Sequence, residues 1–371
     1  FLEHAFQGWF GALIWIVHVP CGRCRHWRIH WKICVDQMRI FRQYLIILML
    51  STLLVGQSNV GTTAASFLDI GIGARSLSMG GAFTAVANDA TALYWNPAGI
   101  ANIQRPATHF YYTPWFVGID FTHSAAVIPM GRAGAIGLSI TSISMDEMKV
   151  RTIQAPEGTG ELFEVSNLAL ATSYAKKLTD RFSFGLNIKL VQEKIWHMNA
   201  NIIATDIGCL FVTKNKGIRI GMSISNFGNK MKLDGYDTER DFDIDETIFG
   251  NNDKLDSHLD TQGWLLPLIF RFGVSREIID NKMHKLTLAS DAIHPNNNYE
   301  YINLGVEYTF MGIGSVRAGQ SYIFLEEHED KDKREELSNQ FTIGIGVNYK
   351  IPRGPRIQID YVLRDFGVLQ N

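Results

Sequence analysis

The chain reads as all-β: a transmembrane antiparallel barrel. Three observations predict this. Long segments alternate apolar with small polar residues at a period of two. Tight Gly- or Asp-bearing turns join some of these segments, and long polar loops join others. No apolar run reaches the ~18 residues of a membrane-spanning helix. The bulk numbers agree. Of 371 residues, 46% are hydrophobic and only 19% charged, and the net charge of −2 excludes the basic footprint of a nucleic-acid binder.

The first elements are processing signals. Arg39 and Arg42 precede the apolar run Tyr44–Gly56, the layout of a secretory signal peptide over 38–57. The alternative is a buried core helix. The first methionine is Met38, so residues 1–37 read as upstream translation or a fragment boundary. They hold Cys21-x2-Cys24 with His26, His30 and Cys34, a spacing that also suits zinc. Beyond them only Cys209 remains, so no disulfide framework is expected.

Residues 64–103 differ from everything that follows. Small residues dominate and the alternation breaks. Gly71-x-Gly73 and Gly80-Gly81 invite a phosphate-loop reading, but the third glycine is misplaced, the P-loop lysine is missing and no βαβ unit surrounds them. A compact plug, packed where only small side chains fit, explains them better. Asn88-Asp89 is expected to cap a short helix running through Trp95, ended before Pro97. Arg75 sits among small apolar residues and needs a buried partner, with Glu307 or Asp360 on the expected lumen face as candidates.

From residue 104 one strand follows another. In Phe182-Ser-Phe-Gly-Leu-Asn-Ile-Lys-Leu, the phenylalanines, leucines and isoleucine share one face, and Ser183, Gly185, Asn187 and Lys189 share the other. The pattern recurs at 218–225, 301–310 and 341–350. Thirteen strands are expected: 104–112, 118–129, 134–144, 163–176, 182–195, 202–213, 217–226, 266–276, 285–294, 299–310, 313–323, 339–350 and 355–363. Bacterial single-chain barrels use even numbers. The reading is therefore a fourteen-stranded barrel whose closing strand is cut off after Asn371. A soluble sandwich or lipocalin-like fold is the alternative. The length of the strands and the small residues on their polar faces favour the membrane. Tyr111, Tyr112, Trp115, Tyr299, Tyr301 and Tyr322 lie near strand ends, as an aromatic girdle would.

Catalytic signatures are lacking. There is no G-x-S-x-G, H-E-x-x-H or Walker A element, and His197, His258, His284, His294 and His328 are scattered. No enzyme activity and no cofactor are expected. Asp241, Asp243 and Asp245 alternate in the loop 227–264 as oxygen ligands for Ca²⁺ would, without the EF-hand glycine or terminal glutamate spacing. The acidic stretch 326–336 reads as a solvated loop tip.

One block is more specific. The run from Gly73 to Gly99 contains Gly73-Ala74-Arg75, Met79-Gly80-Gly81, Asn88-Asp89 and Asn96-Pro97-Ala98-Gly99. It resembles the N-terminal signature of the PorV/PorQ family of FadL-like outer-membrane barrels. The resemblance continues through Leu265–Gly273 and Ile359-Asp-Tyr361…Asp365–Leu369. It implies fourteen strands around an N-terminal hatch, an outer-membrane location, and a non-catalytic part in type IX secretion. The partners would then be the lipid bilayer of the outer membrane and either secreted cargo proteins or secretion-machinery components. FadL relatives imply a second role, a conduit for hydrophobic small molecules. A diffusion porin or a barrel enzyme are the remaining alternatives. Family members run on past the 365–369 region into a final strand, and here this chain departs from the pattern.

Overall fold

The computed structural model describes residues 61–115, 118–214, 217–243, 255–324, 339–352 and 354–364. The stretch 1–37 and the expected signal peptide 38–57 lie outside them, as do Asp245, the acidic stretch 326–336 and residues 365–371.

Thirteen strands form one antiparallel meander, each paired with its neighbours in sequence. They are β1 (Ala107–Pro114), β2 (Ile119–Pro129), β3 (Ala135–Met145), β4 (Val165–Lys177), β5 (Phe182–Ile195), β6 (Met198–Val212) and β7 (Ile218–Gly228). After a long loop come β8 (Ile269–Asp280), β9 (His284–Pro295), β10 (Tyr301–Phe310), β11 (Gly314–Ile323), β12 (Asn339–Lys350) and β13 (Arg356–Arg364). All thirteen expected strands are present, with ends shifted by a few residues. β1 starts at Ala107 rather than at 104, and Gln104, Arg105 and Pro106 before it are exposed. β6 starts at Met198, since only Trp196 and His197 separate it from β5. The fourteenth member of the sheet is not a closing strand. It is Asp234–Gly235, folded back from the long loop onto Asn199 and Met198 of β6.

The faces of this sheet decide its solvent. Ile136, Leu138 and Ile140 of β3, Phe184, Ile188 and Leu190 of β5, and Ile343, Ile345 and Val347 of β12 are 39–57% exposed. Their alternates Ser183, Asn187, Lys189 and Thr342 are buried. A water-soluble sandwich would reverse this arrangement. Here the apolar side chains face outward in a band, as lipid requires, and every strand pairs with its neighbours, β1 and β13 on one side only among the described residues. Among the described residues no helix is long and apolar enough to cross a membrane.

The connections are asymmetric. Turns at 130–134, 178–181, 213–217, 281–283, 311–313 and 351–355 are short. Met311 and Gly312 adopt positive φ (52° and 67°), the backbone that a tight hairpin with right-twisted strands demands. At the other end the connections include 146–164 and 229–268. The latter holds a small hairpin, Glu239–Phe242 with Leu255–His258. The expected aromatic girdle divides. Tyr112 and Tyr322 point outward, whereas Tyr111 packs against the inner core and Tyr301 lines an internal cavity.

Residues 61–103 fill the space that the inward faces surround. Phe67, Ile72, Met79, Phe83, Leu93, Trp95 and Ile100 are all nearly inaccessible. Met79, Phe83, Leu93, Trp95 and Ile100 pack with Ala125, Val127, Ala135, Ala175 and Ala289 of the strands, and with Tyr111 of β1 and Val362 of β13. Phe67 packs in a second cluster with Ala169, Val191, Ala200 and Ala204.

Candidate functional site

The site is the contact between this inner segment and the wall. The segment contains only short elements: a 3₁₀ turn Ser66–Asp69, α1 (Ala74–Leu77), α2 (Ala92–Trp95) and a second 3₁₀ turn Pro97–Asn102. Its path between them depends on the glycines singled out from the sequence. Gly73, Gly80 and Gly81 all have positive φ (84°, 66° and 79°).

The wall meets it with glycines of its own. A methyl group on Gly319 of β11 would overlap the backbone of Met79 and Gly80, and one on Gly305 of β10 would meet Met79. Gly344 of β12 faces Ser78, Gly221 of β7 faces Thr84, Gly137 of β3 faces Leu93, and Gly185 and Gly208 face Asn96, Pro97 and Ala98. The small inward residues of the strands are thus a seat cut to backbone depth. The Met79-Gly80-Gly81 and Asn96-Pro97-Ala98 motifs are what sits in it.

Hydrogen bonds fix the seating. Asn96, fully buried, donates from Nδ2 to the carbonyls of Thr84 (2.9 Å) and Cys209 (3.0 Å), and its Oδ1 accepts from Ala98 N (3.2 Å). One side chain therefore caps a turn and ties it to β6. Gly80 N donates to Thr342 Oγ1 (3.0 Å). Asp291 of β9 accepts from the amides of Phe83 (2.9 Å) and Thr84 (2.8 Å). The start of α2 is a correction to the expected cap. Thr91 occupies the N-cap position without a side-chain cap bond, and Asp89 Oδ1 instead accepts from Thr91 N (2.9 Å). Asn88 and the other oxygen of Asp89 are engaged elsewhere.

That engagement is with Arg75. Its Nη1 donates to Asn88 Oδ1 (2.7 Å) and Asp89 Oδ2 (2.8 Å), while Nε and Nη2 grip Glu307 of β10 at 2.9 and 2.8 Å. Glu307 is thus the partner chosen from the two expected candidates, in bidentate geometry. Asp360 joins one step away. Arg317 of β11 donates from Nε to Glu307 (2.7 Å) and from Nη1 to Asp360 (2.7 Å). The line Asp89–Arg75–Glu307–Arg317–Asp360 alternates in sign across the segment and three strands. Burial works against the Arg75 guanidinium, but Glu307 and Asp89 outweigh it and hold the charge more firmly than in water. In the upper part of the segment, burial raises the Asp69 carboxyl above its ordinary range, a shift that Arg271 partly offsets.

Sequence reasoning did not anticipate Asp291, Arg271 or Arg317. Arg271 donates to Ser225 Oγ (2.9 Å) and lies over the rings of Tyr94 and Trp95 at 5.4 and 5.5 Å. The signal was available: each is a charged residue in the inward phase of an otherwise apolar alternation. Between Asp69, Tyr94, Arg271, Tyr301 and Arg364 lies a cavity of about 190 Å³, also touched by Leu77, Trp95, Ile293 and Ile323. Of the calcium candidates, Asp241 and Asp243 are described and Asp245 lies outside the described residues. Asp241 is exposed on the loop hairpin opposite Asp256, and the described residues contain no metal-binding cluster. His197, His284 and His294 meet Asp237, Tyr308 and Glu300 separately.

The family model for type IX secretion system protein PorV matches residues 55–260, the inner segment together with β1 to β7 and part of the loop after β7. The chain belongs to the PorV family. It is a PorV-family barrel of the outer membrane. Three solved structures are similar to it. The CymD monoaromatic hydrocarbon channel has 14% identity over 80% of this chain and 94% of that one, with a TM-score of 0.47. A Pseudomonas aeruginosa FadL homologue has 11% identity over 78% and 88%, with a TM-score of 0.46. The Pseudomonas putida toluene transporter TodX has 12% identity over 83% and 99%, with a TM-score of 0.45. No curated protein matches the chain.

Proposed function

We propose that residues 64–103 are a hatch that keeps the lumen closed, and that this PorV-family barrel is a non-catalytic component that handles protein cargo in type IX secretion. The observation that carries the first half is the seat. Segment and wall interlock at backbone depth, and the Arg75–Glu307 pair crosses between them at 2.8 Å. The second half rests on membership of the family. A closed barrel suits a component that holds or passes on partners at its rim better than one that lets solutes diffuse through. Two measurements test this. The refolded protein in a planar bilayer is expected to show no steady conductance, and a large open-channel current would rule out the hatch. Pull-down from the native envelope is expected to recover secreted proteins that share a C-terminal domain. Recovery of none would remove the cargo role. The signal peptide over 38–57 belongs to the same proposal, and N-terminal sequencing of the envelope protein checks it.

A second reading is a conduit for hydrophobic small molecules, although the cavity beside Leu77, Trp95, Ile293 and Ile323 is also lined by Asp69, Arg271, Arg364, Asn303 and Gln340 and so suits a ligand with a polar end. It predicts lipid-like molecules extracted from the purified protein, seen by mass spectrometry.

A further inference from the structure

We propose that the short-turn rim of the barrel is a binding surface for the headgroups of anionic glycerophospholipids in the leaflet it faces. Short turns mark the periplasmic end of an outer-membrane barrel, so this is the periplasmic leaflet. The inference rests on the barrel spanning the outer membrane, and not on the hatch or the cargo.

The rim combines two features. The turns carry apolar tips that no core covers: Met130, Leu178, Met283, Met311 and Ile313, each 39–59% exposed. They continue the apolar wall toward the level of the headgroups. Beside them stand exposed cations. Arg132 lies in the turn after β2, and Lys176, Lys177 and Arg181 flank the turn after β4. Lys214 follows β6, Lys282 follows β8, and Lys350 and Arg356 flank the turn after β12. None of these cations makes an ion pair among the described residues. Asp180 and Asp280 are the exposed acids among the same described turns.

The opposite rim is different. Asp146, Glu147, Glu157 and Glu161 crowd one of its loops, and its cations are partly engaged, Lys194 with Glu164 and Lys232 with Asp260. Lys149, Arg151, Lys230 and Arg240 on that rim are also exposed and make no ion pair among the described residues, but acids outnumber the cations there. Among the described residues, the exposed cations exceed the acids at the end with the short turns. Their distribution selects the partner. The cations recur in every short turn except that between β10 and β11, all the way round the sheet. A docked protein would cover one sector. An annulus of lipid touches every turn at the same depth. Long Lys and Arg side chains lay their stems on the apolar tips and place the charge among phosphates.

The test uses the full chain reconstituted in phosphatidylcholine vesicles containing a minority of phosphatidylglycerol. Spin-labelled phosphatidylglycerol and phosphatidylcholine report, by electron paramagnetic resonance, which lipid the barrel immobilises. The expected result is an enrichment of phosphatidylglycerol of about twofold or more at low salt. It should fall toward parity as ionic strength rises from roughly 0.1 M to 1 M and the Debye length shrinks from about 10 Å to 3 Å. The variant R132Q/K176Q/K177Q/R181Q should lose much of the preference, and K149Q/K194Q on the other rim should keep it. Heat-modifiable gel mobility reports whether each variant has folded. If the fourfold variant does not fold, the wild-type salt titration decides. Equal immobilisation of the two lipids by the wild type, or a preference that survives in the folded fourfold variant, overturns the proposal. A wild-type barrel that immobilises no lipid at all would instead overturn its place in the membrane.

Discussion

The inner segment is held in two different ways on neighbouring parts of the wall. Along β10 to β12 the hold is one of shape: Gly305, Gly319 and Gly344 let Ser78, Met79 and Gly80 approach the strands with no side chain between. On the Arg75 side the hold is one of charge, through Glu307 and Arg317, whose side chains are only 7% and 2% exposed. Shape tolerates no addition and cannot be compensated by a second change. A buried ion network tolerates no single loss, yet it can be replaced as a whole by apolar groups of similar volume.

The largest effect should come from breaking the charge. E307A leaves Arg75 and Arg317 without their shared carboxylate, and should lower stability by about 4 kcal/mol, read as a fall in the urea midpoint. Replacing Arg75, Glu307 and Arg317 together by methionine should recover most of that loss; a triple variant no better than E307A would remove the distinction between the two holds. Next comes G319A, at about 2 kcal/mol, because the methyl would press on Gly80 and Met79. Gly314, whose surroundings are open, is the control, and G314A should be near neutral. N96A gives up the bonds to the Thr84 and Cys209 carbonyls and the turn cap at Ala98, for about 1.5 kcal/mol by the same unfolding measurement.

The smallest effect concerns pH. The Asp69 carboxyl is raised by burial, so its neutral form is the one that folding favours. Its contribution is complete at acid pH, below the unfolded carboxylate range, and is lost as pH rises through the elevated value. D69N should flatten that decline in a plot of melting temperature against pH. An unchanged slope would mean that Asp69 stays charged in the fold.

Much of this architecture is legible in the residues, since a strand's period of two survives any tertiary context. All thirteen strands follow from alternation alone, because lipid outside and a packed segment inside make the two faces so unlike. What alternation cannot supply is which inward residues meet which part of the segment. Glu307 was recognisable as a partner for Arg75, since a buried guanidinium must find a carboxylate, but nothing local put Arg317 between Glu307 and Asp360. The role of Asp89 was misplaced for a similar reason. An Asp before a short helix is normally its cap, and here the demand of Arg75 and a turn to Thr91 won. The strand glycines were visible as small residues, but their purpose belongs to contacts made far along the chain.

That distance has a consequence for how the molecule is assembled. Gly80 bonds to a residue 262 positions later, and Arg75 to one 232 positions later. Contacts of such separation form late and slowly. The Arg75 and Met79-Gly80-Gly81 part of the segment therefore lacks its seat until the final strands arrive, while Asn96-Pro97-Ala98 already meets β5 and β6. A polypeptide stalled before β10 would carry Met79-Gly80-Gly81 unseated, with Arg75 paired to Asp89 but lacking Glu307. The seat thus doubles as a completion check, satisfied only when the last third of the wall is in place.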